Sequence, residues 1–265
     1  MNTTLTQHFH SDLFWQLLRA KSTNMRKTLF DKFVNFYIWA SCTLLVSGYL
    51  MQAFGMNKDF GPFQLGGILA TAGLFELYSN AVTIVSDIEG DRTITYYLTL
   101  PAPTLTVLAS FIAYYALIGI TMGILLLPLA KAILGAQFVL ANVSWVALIL
   151  FMMLIHLLCA TATLMFSALI PSMDKFDILW TRFIFPLWFL GGFQFSWASV
   201  HAKAPWLSYA MLANPITYFT EGVRAALLGQ AGNLPLWLCS MVLLMLWIFI
   251  SFGAYKTLKK RLDFV

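Results

Sequence analysis

The chain has 265 residues, of which 60% are hydrophobic and only 10% charged, and its net charge is +5. A soluble domain carries about 25% charged residues, so this composition excludes an ordinary soluble protein. Four stretches without Asp, Glu, Lys or Arg, at 33–57, 93–130, 132–173 and 225–255, each exceed the roughly 20 residues that a helix needs to cross a bilayer. The sequence therefore predicts an all-α integral membrane protein, organised as a single transmembrane domain over 1–265.

Residues 11–30 are predicted to form an amphipathic helix on the membrane surface, with Leu13, Leu17 and Leu18 on its apolar face. A charged leader that anchors the first span is the alternative. Six predicted spans follow, with Pro128 and Pro171 expected to end the third and the fourth. They lie at about 33–54, 63–86, 104–127, 143–170, 178–195 and 234–255.

Lys and Arg are distributed unevenly between the two sides of these spans. Twelve of the 16 lie on the side of the termini and four on the other side. Because cytoplasmic loops are enriched in Lys and Arg, both termini are predicted to be cytoplasmic, in a multi-pass protein of the cell (inner) membrane.

The polar loop at 87–100 begins with charged residues and continues with apolar ones. This pattern predicts a short helix at the cytoplasmic interface that presents side chains to a partner, whereas the alternative is a loop that its charges simply keep in water. The candidate contact residues are Asp87, Glu89, Asp91, Arg92, Tyr96 and Tyr97.

Glu76 is the acidic residue that lies well inside a predicted span. An intramembrane carboxylate usually faces a bundle interior and has a partner. Glu76 is therefore a candidate for the translocation pathway or for proton coupling, with a buried hydrogen-bonded brace as the alternative. His156, inside the fourth span, is interpreted as an interior histidine.

A polar insert at 201–230 separates the last two predicted spans. Its candidate residues are Asn214, Pro215, Tyr218, Glu221 and Arg224. Glu221 and Arg224 are three residues apart, so on a helix they share a face and can pair. Charged groups and broken helices survive at membrane depth only against protein or a water-filled cavity, which favours a pathway or its gate.

Aromatic residues are frequent from Trp180 to Phe219. Such residues commonly anchor span ends in the lipid headgroups, and the alternative is a stacking surface for sugar rings or lipid tails.

Known catalytic and metal-binding patterns are missing from the sequence. It contains no HExxH, no GxSxG and no phosphate-binding GxxxxGK[ST], and its three cysteines have unrelated spacing. We therefore expect no enzymatic activity, no metal site and no cofactor in this chain, and no nucleic-acid partner.

The order of these elements resembles the membrane (permease) subunit of an ABC-2-type ABC exporter. The resemblance is most specific in Leu-Ala-Asn-Pro-Ile-Thr-Tyr at 212–218 and Glu-Gly-Val-Arg-Ala at 221–225, and the loop at 86–103 is similar to the family's coupling loop. It implies six transmembrane helices, an N-terminal interfacial helix and a re-entrant helical insert before the last span, as in type V exporters.

The same resemblance implies how the subunit works. A second copy or a related permease would complete the pathway in the lipid membrane, and separate ATPase subunits would bind ATP and Mg and contact residues 87–100. The insert would gate the exit. The implied substrate is a drug, a lipid or a lipid-linked glycan. A capsule or O-antigen polysaccharide permease is the alternative, and a proton-coupled secondary transporter is less favoured.

Overall fold

A computed structural model describes residues 11–24, 26–99 and 102–263, and within these ranges every regular element is helical. The helices are α1 Ser11–Asn24, α2 Arg26–Leu45, α3 Phe60–Glu89, α4 Thr93–Thr99, α5 Thr104–Leu134, α6 Trp145–Leu169, α7 at 176–190, α8 Trp197–Lys203, α9 Pro205–Met211, α10 Pro215–Leu228 and α11 Leu236–Asp263. Helix α2 is prolonged by a π-helical turn at Val46–Leu50 and by Met51–Ala53. Helix α7 consists of Phe176–Ile178, a π-helical turn at Leu179–Ile184, and Phe185–Leu190. Leu100 of the predicted loop and residue 25 of the predicted first helix lie outside the described residues, as do 1–10 and 264–265.

Five helices in the described ranges are long and apolar enough to cross a membrane. They are Leu29–Ala53, Phe60–Glu89, Thr104–Gln137, Trp145–Leu169 and Leu236–Leu258. The span predicted at 178–195 is the shorter helix α7, which ends at Leu190 and contains a π-helical turn. At 1.5 Å per residue α7 is about 22 Å long, less than the roughly 30 Å of a hydrocarbon core. The count of six spans therefore stays a prediction.

The predicted helix at 11–30 is helical in the structure on both sides of residue 25, which lies outside the described residues: α1 ends at Asn24 and α2 begins at Arg26. In the last turn of α1, the hydroxyls of Ser22 and Thr23 donate to the carbonyls of Leu18 and Arg19. The apolar face predicted for α1 packs against α5, with Leu18 buried.

The prediction that Pro128 ends the third span was wrong. Helix α5 continues through Pro128 to Leu134. A proline in a membrane helix is tolerated where neighbouring groups compensate for the lost hydrogen bond. The helix ends instead at Gly135, whose φ of 57° favours glycine, and Lys131 donates hydrogen bonds of 2.7 Å to the carbonyls of Gly135 and Phe138.

Helix α6 lies at the centre of the bundle and packs against α3, α5, α10 and α11. Its His156 is buried between α3 and α5, in the interior position that the sequence predicts. A side chain at Gly119 of α5 would collide with the His156 ring, so this glycine is required for the close approach of α5 and α6. Small residues have this function in many membrane helix pairs.

Candidate functional site

The insert folds into three helices, α8 to α10, and its longest helix has well-defined ends. The Asn214 side chain caps α10 by accepting from the Ile216 N–H at 2.9 Å, and Pro215 occupies the first turn. The helix ends at Gly229, whose φ is 107°. Asn214 also donates to the Leu187 carbonyl of α7 at 2.8 Å, so one amide both starts α10 and attaches it to α7.

Glu221 is completely buried in the middle of α10. One carboxylate oxygen accepts from the Trp197 N–H at 2.8 Å and the other from the Leu234 N–H at 3.0 Å. Trp197 begins α8, and Leu234 lies two residues before the start of α11. The carboxylate therefore joins the start of the insert to the start of the last span, and both of its oxygens have partners, as buried charges require.

Arg224, one turn later and equally buried, is held by backbone carbonyls. Its guanidinium lies 3.5 Å from the Phe63 ring. It donates to the carbonyls of Phe63 (3.2 Å), Gly192 (2.7 Å), Phe193 (2.9 Å) and Phe195 (3.3 Å).

Two adjacent glycines of α3 make room for Arg224. A Cβ at Gly66 would lie 2.6 Å from the Arg224 Cγ, and one at Gly67 would lie 2.9 Å from the Phe193 carbonyl. The arginine thus fixes the loop after α7 against the first turns of α3. The Gly66-Gly67 pair was the sequence signal for this contact, and the sequence analysis did not single it out.

Glu221 and Arg224 do not pair with each other, contrary to the expectation from their spacing. Among the described residues the structure has one ion pair within 4.0 Å, which joins Lys32 to Glu76. The two insert residues share a helix face but contact different backbone segments. Tyr218, also predicted for this site, donates to the Leu212 carbonyl at 2.9 Å and so stabilises the turn before α10.

The predicted coupling loop contains the short helix α4, and Asp87 determines its start. The Asp87 oxygens accept from the N–H groups of Thr93 (3.0 Å) and Ile94 (2.8 Å), which helical hydrogen bonding would leave unpaired. Glu89 accepts from the N–H of Met173 at 3.2 Å, which connects α3 to the loop after α6. These two acidic residues therefore shape the loop.

Three other predicted coupling residues are exposed: Asp91, Arg92 and Tyr96. Arg92 has a φ of 53°, and this left-handed conformation turns the chain from α3 into α4. Tyr97 is half-buried and packs edge-on against Phe111 of α5. The loop thus has an anchored side and an exposed side.

Glu76 has a partner that the sequence analysis did not identify. Lys32 of α2 donates to the Glu76 carboxylate at 3.2 Å and to the Asn80 side chain at 2.6 Å. Both charged side chains are partly buried, with 18% and 15% of their surface exposed. The sequence contained a hint of this ion pair, because Lys32 directly precedes the long uncharged run at 33–57. Glu76 is therefore part of a brace between α2 and α3.

The aromatic residues of α7 form an internal network in addition to any contact with lipid. Phe75 of α3 contacts Trp39 of α2 and Trp180 and Trp188 of α7, with ring centroids 5.2 to 5.9 Å apart. Trp188 in turn contacts Phe193 at 5.0 Å. These rings connect α2, α3 and α7, and aromatic pairs at such distances are favourable.

A cavity of about 500 Å³ lies beside this network, between α2, the start of α3 and the end of α7. Its lining is aromatic and apolar with a few uncharged polar groups, and none of the lining residues is charged. They are Trp39, Cys42, Thr43, Val46, Ser47, Met51, Met56, Phe60, Gln64, Trp188, Phe193 and Gln194. The Gln64 Oε1 and the Trp188 Nε1 are buried and have no hydrogen-bond partner among the described residues.

The predicted site residues form separate groups along α3. Arg224 lies beside Phe63 near the start of this helix, and Asp87 lies near its end, about 36 Å away at 1.5 Å per residue. Glu76 lies between them. The structure therefore does not bring the insert residues and the loop residues together, but attaches both groups to one long helix.

The fold and these sites define a multi-pass helical membrane protein with a broken helical insert and a short interfacial helix. The chain belongs to the ABC-2 type transporter family, whose match covers residues 13–228. It is 25% identical over 171 residues to the inner membrane transport permease YadH of Escherichia coli (strain K12) and to that of Shigella flexneri. Each match covers 64% of this chain and 64% of the relative, less than two thirds of either protein.

Proposed function

We propose that this chain is the transmembrane subunit of an ATP-driven exporter of the inner membrane. Two copies, or this chain and a related permease, form the pathway, and separate subunits bind ATP and Mg and hydrolyse the nucleotide. The proposal rests on the contacts of α3, because the insert is attached near the start of this helix and the anchored loop follows its end. A rigid helix of this kind is suited to transmitting motion between the two ends.

We propose that the 500 Å³ cavity is the part of the pathway that each subunit contributes. Ligand sites are typically concave and mostly apolar, with a few polar groups that fix orientation. The exposed apolar residues of α2 around it, such as Ile38 and Leu45, are the surface that a second copy would cover. Because the lining is uncharged, we propose an uncharged or zwitterionic amphipathic substrate, which fits a drug, a lipid or a lipid-linked glycan.

A capsule or O-antigen polysaccharide is the second candidate substrate. The rings of Trp39, Trp188 and Phe193 around the cavity favour it, because flat apolar surfaces suit the faces of sugar rings. A proton-coupled secondary transporter is less favoured, since Glu76, its most suitable proton carrier, is already paired with Lys32.

The ATPase subunit is proposed to bind the exposed side of the loop around α4. Asp91, Arg92 and Tyr96 would contact it, whereas Asp87, Glu89 and Tyr97 would hold the loop in shape. With this orientation both termini are cytoplasmic, and the insert at 201–230 is a re-entrant gate at the outer face. Glu221 and Arg224 stabilise that gate.

Co-purification tests the coupling proposal. We expect the chain to have no ATPase activity alone and to retain a separate ATPase subunit. Asp91→Lys should reduce the amount of bound ATPase several-fold. The matched control is Asp59→Lys, since Asp59 is exposed at the other end of α3. Equal retention by both variants would contradict the assignment of the loop.

A further inference from the structure

A second pocket, of about 280 Å³, lies where α1, the end of α3, α4 and the start of α5 meet. It is separate from the cavity described above. Its lining combines one cation, one carboxylate, hydroxyl groups and apolar side chains: Lys21, Thr83, Ile84, Asp87, Thr93, Ile94, Tyr97, Phe111 and Tyr115.

Lys21 is the unusual residue of this pocket, because only 5% of it is exposed and, in the part of the chain that the structure describes, it forms no ion pair with a carboxylate. Its ammonium donates to the Ser110 hydroxyl at 2.6 Å and lies 3.0 Å from the centre of the Phe111 ring. An ammonium has three N–H donors, and the Ser110 hydroxyl accepts one of them. Among the described residues no Asp or Glu lies within 4.0 Å of it. A buried ammonium without a nearby negative charge is costly in free energy unless an anion compensates it.

Asp87, the carboxylate that lines the same pocket, does not compensate Lys21. Its two oxygens accept from the backbone N–H groups of Thr93 and Ile94. Asp87 keeps its negative charge, which opposes an anion close to it, so the Lys21 ammonium is the charged group of the pocket that favours an anion.

Three hydroxyl groups of the pocket are also available as donors. The side chains of Thr93, Tyr97 and Tyr115 line it, and their hydroxyls have no hydrogen-bond partner among the described residues. Together with the ammonium they give a donor-rich pocket that suits the several acceptor oxygens of a phosphate.

We propose that this pocket binds a phosphate group, supplied by the headgroup of an anionic phospholipid, with Lys21 as its counterion. The position supports the lipid source, because α1 is amphipathic and the pocket lies at the end of the span α3 and the start of the span α5, where lipid headgroups would be expected. A bound phosphate would connect α1 to α4. The proposal does not depend on the proposed export function.

Burial already lowers the pKa of Lys21 from 10.5 to about 7. A bound phosphate would favour the charged form and raise this pKa again. Anion binding should therefore be strongest below about pH 7 and weaken as the pH rises.

The test measures thermal unfolding of the purified full chain after removal of lipid, with added phosphatidylglycerol or phosphatidylcholine. We expect phosphatidylglycerol to raise the unfolding midpoint and phosphatidylcholine to have little effect. In Lys21→Met the half-saturating concentration of phosphatidylglycerol should rise about tenfold or the shift should vanish. Arg19→Met, which removes an exposed cation from the same helix, should behave as the wild type.

A parallel titration compares sodium phosphate with sodium chloride at equal ionic strength. A Lys21-dependent shift with phosphate alone would assign the site to a soluble anion, and one that needs phosphatidylglycerol would assign it to lipid. If Lys21→Met does not fold, Tyr97→Phe removes one donor and should weaken the response by a smaller factor. An unchanged response in the variants, or none in the wild type, would overturn the proposal.

Discussion

Glu221 and Arg224 lie one turn apart on the same face of α10, and both are completely buried, yet neither binds the other. The Glu221 carboxylate accepts from the N–H groups of Trp197 and Leu234, and the Arg224 guanidinium donates to carbonyls at Phe63 and in the loop at 192–195. Each side chain satisfies backbone groups that the broken helices leave unpaired. The two residues therefore support two different joints of the insert.

The first prediction concerns the exchange of these two charges. Glu221→Ala and Arg224→Ala should each lower stability by about 3–5 kcal/mol, because each leaves several buried groups unpaired. The double variant Glu221→Arg with Arg224→Glu should recover none of this loss, since neither new side chain matches its backbone partners. Thermal unfolding measures the effect, and Lys203→Ala, at an exposed site of α8, is the control. Recovery of more than half of the lost stability would show that the residues act as a pair.

The second prediction concerns Lys32 and Glu76, which do form an ion pair. Here Lys32→Glu with Glu76→Lys should recover part of the stability lost in each single variant. The expected coupling energy is about 0.5–3 kcal/mol, as for residues in direct contact. A double-mutant cycle with thermal unfolding measures it, and Asp31→Asn, at an exposed neighbour, is the control. A coupling energy of zero would exclude the brace between α2 and α3.

The third prediction concerns Gly66, where α3 approaches Arg224. Gly66→Ala should destabilise the protein although alanine favours helices, because the new Cβ would lie 2.6 Å from the Arg224 Cγ. Gly253→Ala in α11 is the matched control, since its Cβ would meet only the flexible Met165 side chain at 3.3 Å. The difference in unfolding midpoint between the two variants is the measurement. Equal midpoints would mean that Arg224 can move without loss.

The fourth prediction separates stability from transport at Gln64. This side chain is 3% exposed, and its Oε1 is buried without a hydrogen-bond partner among the described residues. Gln64→Met keeps the approximate shape and removes the unpaired group, so stability should stay equal or rise. Transport by the assembled complex should fall if the amide binds substrate. Gln16→Met, at an exposed site of α1, should change neither, and unchanged transport in Gln64→Met would remove Gln64 from the pathway.

The fifth prediction is a pH dependence that Lys21 causes. Its pKa is about 7 in the folded chain and 10.5 when unfolded, so between these values the unfolded chain binds one more proton. Without lipid or phosphate, stability should therefore rise with pH from 7 to 10.5, by at most about 1.4 kcal/mol per pH unit, and this contribution should be constant below pH 7. Lys21→Met should abolish the rise, whereas Arg19→Met should retain it. A rise of the same size in Lys21→Met would assign it to another group.

Hydropathy predicted the parts of the fold that depend on the length of apolar segments. The span Trp145–Leu169, for example, follows from an uncharged run that proline bounds at its end. The same reasoning misplaced the end of α5, because in a membrane helix Pro128 does not act as a stop. The span predicted at 178–195 stays a prediction, since α7 contains a π-helical turn and ends at Leu190 before two glycines.

The candidate site was predicted by residue type but not by contact. The polar insert and the charged loop were visible in the sequence, and the family resemblance to an ABC-2 permease was correct. The partners of Glu76 and Arg224 were not predicted, because Lys32 and Phe63 approach them only through the packing of α2, α3 and α10. Spacing along one helix predicted the wrong partner for Glu221, since backbone groups compete for a buried carboxylate.

Transport in sealed vesicles tests the central claim most directly. The chain is reconstituted with its ATPase subunit, and a neutral fluorescent glycolipid is followed across the bilayer with ATP or with a proton gradient alone. We predict transport that requires ATP and the ATPase subunit and that stops when the phosphate-binding lysine of that subunit is replaced. Transport by this chain alone, driven by the proton gradient without ATP, would contradict the account.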